Sequence, residues 1–336
     1  MNFIITQYKL IIFFLTLIFL SVIFFYFSII ESSISCNSEC EFVIENNEMA
    51  YHIAHKLDSL GFINNPNLFT IASKILFVDK DIKPGIYDLS KAKNIRNLLN
   101  IITVANNDYI KVTIPEGWNI DQVAIKLNEK DLINIKIFSD LCTDIAFIES
   151  MGLSDISSLE GFLYPETYFL SSNQTEKQII ETMVDQFKKV MSIENISKNK
   201  YNFSLHQIIT FASIVQGESM LESEMKTIAS VFHNRINKNM FLDANATIQY
   251  AIPGKNRRLR NKDLEIKSPY NTYKNKHLPP GPINSPGISA IRATLDPEKT
   301  NYLYFVKENI NSRKHIFSSN IRAHEKARKI YLKSLK

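Results

Sequence analysis

Ser204–Met220, SLHQIITFASIVQGESM, is the stretch from which the rest of the chain is best read. Ser204 has the side chain of a helix N-cap, and Leu205, Ile208, Ile209, Ala212 and Val215 recur at helical spacing. The stretch is therefore expected to be a largely buried helix. Phe211, Ile214 and Val215 precede Glu218 by seven, four and three positions, which puts its carboxyl at the end of an apolar face. A carboxyl partly removed from water by such neighbours holds its proton to higher pH, as a general acid requires. The other reading is that Gly217 ends the helix and Glu218 is an exposed loop residue.

Downstream, Glu224–Asn237 is expected to be a second helix. Met225, Ile228, Ala229, Phe232 and Ile236 form its core stripe, and His233, Asn234 and Arg235 lie on its other face. The segment Leu278–Gly287, LPPGPINSPG, is rich in residues with a fixed φ and makes a rigid wall, either of a cleft or across a surface.

Upstream the units are smaller. Lys111–Ile114 is expected as a strand, Pro115–Gly117 as a turn and Asn119–Leu127 as a helix, a plan shared with the strand Glu41–Ile44 and the helix Ala50–Leu60 that Gly61 ends. This plan resembles the small LysM-type carbohydrate-binding module, in which two helices pack on a two-stranded sheet.

Leu10–Ile30 is apolar apart from Thr16, Ser21 and Ser28, with Tyr26 the one polar aromatic. At about 1.5 Å per residue it can cross a bilayer core of about 30 Å. It exceeds the roughly 7–15 apolar residues of a cleaved signal peptide. Lys9 precedes it while Glu31, Glu39, Glu41 and Glu45 follow, so the N-terminus is expected in the cytoplasm and the remainder outside. Export permits a disulfide between Cys36 and Cys40, while the third cysteine, Cys142, stands apart.

The 336 residues are 45% hydrophobic and 22% charged, an ordinary globular balance that argues against disorder and against a polytopic membrane protein. The net charge of +5 is scattered, and its densest run, Lys255–Lys262, is short, so nucleic-acid binding is not expected. No HExxH or CxxC pair occurs and the seven His are dispersed, so no metal and no cofactor are expected.

Taken in order, LEGFLYPETY (159–168), ASIVQGE (212–218), IASVFHNR (228–235), ATIQYA (246–251), SPYNTY (268–273) and LPPGPI (278–283) resemble the endolytic murein transglycosylase family, MltG or YceG-like. YLYFV (302–306) and HIFS (315–318) extend the likeness, which covers roughly Phe42 to the end. The resemblance implies an enzyme at the bacterial cytoplasmic membrane, tethered by one N-terminal helix. It would cleave the MurNAc–GlcNAc β-1,4 bond inside nascent peptidoglycan strands and leave a 1,6-anhydro end. A penicillin-binding peptidoglycan synthase is the implied partner. The family's catalytic glutamate falls on Glu218, and the motif's other common glutamate is Gln216 here.

The expected class is α+β: residues 1–9 cytoplasmic, 10–30 membrane-spanning, 31–40 a linker, 41–158 membrane-proximal with the LysM-like module, and 159–336 a mixed catalytic domain with a polymer-binding cleft. Tyr168, Gln249, Tyr250, Asn271 and Thr272 are expected to contact substrate. Glu166, Thr167, Asn234 and Arg235 are expected to support the site. A hydrolase would need a second carboxylate, for which Glu166, Glu160 or Asp243 is available. A non-enzymatic wall-binding scaffold is the other alternative. Asn245, where the family commonly has Asp, and Ser285, where Asn is frequent, depart from the pattern.

Overall fold

A computed structural model describes residues 2–35, 40–44, 48–83, 85–104, 109–193, 201–219, 221–252 and 259–335. Cys36 and the first part of the basic run, 255–258, lie outside the described residues. The chain is mixed α and β, with three two-stranded sheets among the described residues. Packing divides it into two units, Met1–Tyr109 and Ile110–Lys336.

The first unit begins with helix α1 (Asn2–Ile30), whose segment Phe13–Ile30 is long and apolar enough to cross a membrane. The run of apolar side chains that faces outward along α1 ends abruptly, because Ile29 and Ile30 are fully buried in the folded unit. Residues 31–35, expected as linker, are pinned instead. The Ser32 carbonyl accepts from Ile95 N–H at 3.1 Å, Ile34 N–H donates to Lys93 O at 3.2 Å, and Ser35 N–H donates to Phe62 O at 3.1 Å.

Strand β1 (Glu41–Ile44) pairs antiparallel with β2 (Gly85–Asp88), in the register Phe42↔Tyr87. Helices α2 (Ala50–Ser59) and α3 (Pro66–Ile75) lie between them in sequence, and α4 (Ile95–Val104) follows. Helix α2 forms because Ile53, Ala54 and Leu57 share one face and are buried. Helix α3 starts where the Asn65 side chain accepts from Asn67 N–H and Pro66 occupies the first turn. Phe42, Ile44, Leu57, Phe69 and Leu98 close a common core. Cys40 is disulfide-bonded, whereas Cys142 is a free, buried thiol.

The second unit starts at Ile110 rather than at Leu159. Strand β3 (Tyr109–Thr113) pairs with β4 (Thr167–Ser171), so the second strand-turn-helix unit of the sequence joins the motif-rich region instead of forming a module of its own. Val123, Ala124 and Leu127 of α5 (Ile120–Asn128) enter the same core as Ile208 and Phe211. Asn119 and Gln122 form a capping box at the start of α5. Helices α6 (Ile135–Leu141), α7 (Ile145–Ser150) and α8 (Glu176–Ile193) complete this side.

At the centre is α9 (Leu205–Glu218), started by a second capping box between Ser204 and Gln207 and buried from Ile208 to Val215. Helix α10 (Glu222–Asn237), the short α11 (Asn245–Ala251) and α12 (Ile288–Leu295) follow, and α12 packs against α9 and α10. The hairpin β5 (Tyr304–Lys307) and β6 (His315–Ser318) pairs Phe305 with Phe317, and α13 (Ile321–Lys333) packs on it.

Candidate active site

Helix α9 continues through Gly217, so Glu218 is its last residue and not part of an exposed loop. Its carboxyl sits at the negative end of the helix dipole, which disfavours the ionised form. Opposite stands the first turn of α11, where Glu218 Oε1 accepts from Ala246 N–H at 2.8 Å. Ala244, the N-cap residue of α11, offers no side-chain cap, and the Glu218 carboxylate fills that place.

This approach is possible because residue 217 is glycine. A Cβ there would come within 2.7 Å of Ala246 Cβ, inside contact distance. Burial holds the Glu218 pKa above the ordinary carboxylate value. The Ala246 and Asn245 amides and the nearby charges of His315 and Arg235 temper that rise.

Glu218 lines an open cavity of about 1610 Å³ within the second unit. Gln249, Tyr250, Arg235 and Asp243 line the same cavity, together with Glu160 and Tyr273. Glu160 is 6% exposed; Ile120 N–H lies 3.3 and 3.4 Å from its two oxygens, and the Tyr250 hydroxyl also hydrogen-bonds it. Desolvation dominates these long contacts and pushes its pKa up to about 8.

Tyr273 is the principal residue that sequence reasoning missed. Its hydroxyl donates to Asn245 Oδ1 at 2.9 Å, and the charge of Glu218 helps to raise its pKa. The signal for it was weak, because in SPYNTY the polar Asn271 and Thr272 draw attention first.

Those two neighbours are inside the loop. Asn271 is fully buried, and its Nδ2 donates to the Leu264 and Ile266 carbonyls at 2.9 and 2.8 Å while its Oδ1 accepts from Tyr273 N–H. Thr272 Oγ1 accepts from Ala244 N–H at 3.0 Å and pairs with Thr247 Oγ1 at 2.9 Å. With their polar atoms occupied internally, both position Tyr273 and the start of α11.

The Tyr168 hydroxyl donates to Tyr164 O at 2.6 Å in the core, away from the cavity. Glu166 and Thr167 belong to the β3–β4 pairing. The Glu166 carbonyl accepts from Ile114 N–H, and the Thr167 hydroxyl pairs with that of Thr113 at 2.9 Å. Asn234 Nδ2 donates to the carbonyls of Thr300 and Tyr302.

Arg235 fixes backbone in the cavity wall. Its Nε donates to Leu303 O at 2.6 Å, and its Nη1 donates to the Phe241 and Leu242 carbonyls and to Asp243 Oδ2 at 2.8 Å. Asp243 is thereby tied to Arg235 beside Glu218.

Two departures in the motif pattern have local accounts. Gln216 Oε1 accepts from Gly287 N–H at 3.1 Å, and its side chain also hydrogen-bonds Glu116. A carboxylate at 216 would add a third negative group near Glu116 and Glu222. Ser285 works through its main chain, its N–H donating to Trp118 O and its carbonyl accepting from Gly117 N–H, both at 2.8 Å. These bonds strap the Pro-rich segment onto the turn that precedes α5.

Residues 42–330 match the sequence model of the YceG-like family. The chain belongs to the YceG-like family. An endolytic murein transglycosylase of Bacillus subtilis is 33% identical over 269 residues, which cover 74% of this chain and 73% of that protein. One from Streptococcus pneumoniae is 30% identical over 304 residues, 82% of this chain and 55% of that protein, so the chain spans about half the length of the pneumococcal relative. The crystal structure of a YceG-like protein from Listeria monocytogenes aligns with a TM-score of 0.60 at 32% identity, covering 85% of this chain and 97% of that one. The match thus includes the second unit up to Ile330, and with it Glu218 and the cavity-lining residues from Gly117 to Arg328.

Proposed function

We propose that this YceG-like chain is a membrane-anchored endolytic lytic transglycosylase of peptidoglycan, with Glu218 as its one acid/base. The observation that carries the reading is the Glu218 carboxyl itself. It lies at the end of a buried helix in a cavity wall, is aimed by the α11 amides, and has a raised pKa.

Protonated Glu218 gives its proton to the glycosidic oxygen as the bond from MurNAc C1 to that oxygen breaks. The C6 hydroxyl of the same MurNAc then closes on C1, and its proton passes to the Glu218 carboxylate. Glu218 ends as it began, and the product carries a 1,6-anhydro bond with no water consumed. Tyr273, Gln249 and Tyr250 line the cavity, and this reading assigns them to hold the sugars.

The hydrolytic alternative needs a second, ionised carboxylate facing the bond. Glu166 lies outside the cavity lining, Asp243 is held by Arg235, and Glu160 is mostly protonated at neutral pH. The balance favours the lytic route.

In this reading α1 spans the cytoplasmic membrane with its N-terminus inside. The β1-α2-α3-β2 unit serves as a LysM-like wall-binding module, and residues 159–336 with their supporting elements act on strands extended by a peptidoglycan synthase. Mass spectrometry of digested glycan strands tests the chemistry. Anhydro-muropeptides one water lighter than hydrolytic products are expected, and hydrolytic products, or undiminished activity in Glu218→Gln, would overturn the assignment.

A further inference from the structure

Helices α2 and α3 end in the same way with different residues. At the end of α2 the chain turns through Gly61 at φ 76°, with Gly61 N–H donating to Asp58 O and Phe62 N–H to Leu57 O. At the end of α3 it turns through Phe77 at φ 58°, with Phe77 N–H donating to Lys74 O and Val78 N–H to Ser73 O. Both are Schellman caps, in which the left-handed residue is usually glycine. The helix ends after α5, α7 and α10 use Asp131, Gly152 and Asn239 in left-handed conformations, all residue types that tolerate this region.

Phe77 is the exception. It accepts backbone strain, and in return it packs against almost nothing, being 86% exposed. Folding of this unit gives no reason for a phenylalanine there. Ile71 and Ile75, one helical turn apart on the outer face of α3, are 41% and 36% exposed, while Phe69, Ala72 and Ser73 fill the inner face. Ile71 and Ile75 are neighbours on the outside of the helix, and Phe77 stands exposed just past its end.

The position of α3 bears on what covers this stripe. Helix α3 packs directly on α1, whose last residues Ile29 and Ile30 are already buried in the folded unit. Residues 32–35 directly after α1 are pinned to the unit, so α3 lies about 10 Å, one helix width, from the place where the apolar run of α1 ends. Lys74, Lys80 and Lys83 around the stripe are nearly offset by Asp79 and Asp81, so the surface is apolar more than cationic.

We propose that Ile71, Ile75 and Phe77 form a second membrane contact that seats this unit on the lipid surface beside α1. The inference rests on the anchor proposed above. Driven by apolar burial, the contact requires no anionic lipid.

The full chain, reconstituted in phosphatidylcholine vesicles with a bimane label at Phe77→Cys or at Phe24→Cys, tests both. Nitroxide lipids quenching both labels, with aqueous iodide reaching neither well, is the expected result. A Phe77→Cys label quenched by iodide but not by lipid overturns the second contact and leaves the anchor in place. Protection from both quenchers identifies a protein partner and likewise overturns it, and an unquenched Phe24→Cys label sinks the anchor together with the contact. Phe77→Gly supplies an independent arm. It is expected to raise the thermal midpoint of the chain, and a lower midpoint would mean that Phe77 serves folding.

Discussion

Glu218 and Glu160 line one cavity, and each has a carboxyl pKa raised by burial. Their surroundings differ. Glu218 receives a 2.8 Å bond from Ala246 N–H and lies near the Arg235 guanidinium, so its ionised state has support. Glu160 is met by Ile120 N–H at 3.3 Å, by the Gly161 amide and by the Tyr250 hydroxyl, with the like charge of Asp121 nearby. A group that must both give and take a proton needs both of its states to be accessible. In the proposed reaction that group is Glu218, while Glu160 braces the first turn of α5 and Tyr250.

The comparison breaks most decisively at Glu218 itself. Glu218→Gln keeps the shape and the acceptor for Ala246 N–H but removes the proton, and should lower turnover by about 1000-fold with the fold unchanged. Glu160→Gln should leave turnover within a few fold. If the two variants fell equally, the roles assigned to them would be wrong.

The same pair differs in its effect on stability. The Glu160 pKa of about 8 in the folded chain lies above its ordinary value of 4.5, so the folded state binds more protons between those limits. Stability is therefore retained at low pH and lost as pH rises from about 4.5 through about 8. Glu160→Gln cannot ionise. Its stability advantage over the native chain should grow by a few kcal/mol, on the order of 1.4 kcal/mol per pH unit, when urea midpoints are compared between pH 5 and pH 8. A constant difference would mean that Glu160 is already ionised at neutral pH.

Gly217→Ala sharpens the geometric side. The added methyl meets Ala246 Cβ and must push α11 away from the Glu218 carboxyl. A displacement of about 1 Å should reduce kcat by about 10- to 100-fold. A smaller effect is expected for Tyr273→Phe, which removes the hydroxyl bonded to Asn245 Oδ1. A loss of about 10-fold or less in kcat/KM, with little change in thermal midpoint, would mark it as a cavity group rather than a core one. A large loss of stability would place it with Asn271 and Thr272.

Those two show why part of the site was not legible beforehand. Asn, Thr and Tyr types suit sugars and buried backbone equally well, and only the fold settles which atoms are already occupied. Asn271 and Thr272 hold the loop, and their neighbour Tyr273 reaches the cavity. The grouping of β3 and α5 with the second unit was equally hidden, because a strand-turn-helix pattern does not name the strand it will pair with.

What the sequence determined by itself was local. The apolar spacing and Ser204/Gln207 box of α9, the Asn119/Gln122 box of α5, the apolar run of α1 and the turn at Gly61 are each encoded within one contiguous stretch of chain. For Glu218 the local pattern left two places open, the end of a buried helix or a loop after Gly217, and the fold put it on the helix. What only the tertiary structure decided was which groups surround it: the α11 amides and Tyr273 from later in the chain, and Glu160 sharing the cavity from an earlier loop. Burial, a raised pKa and a directed proton arise from contacts between distant segments, and no local pattern carries them.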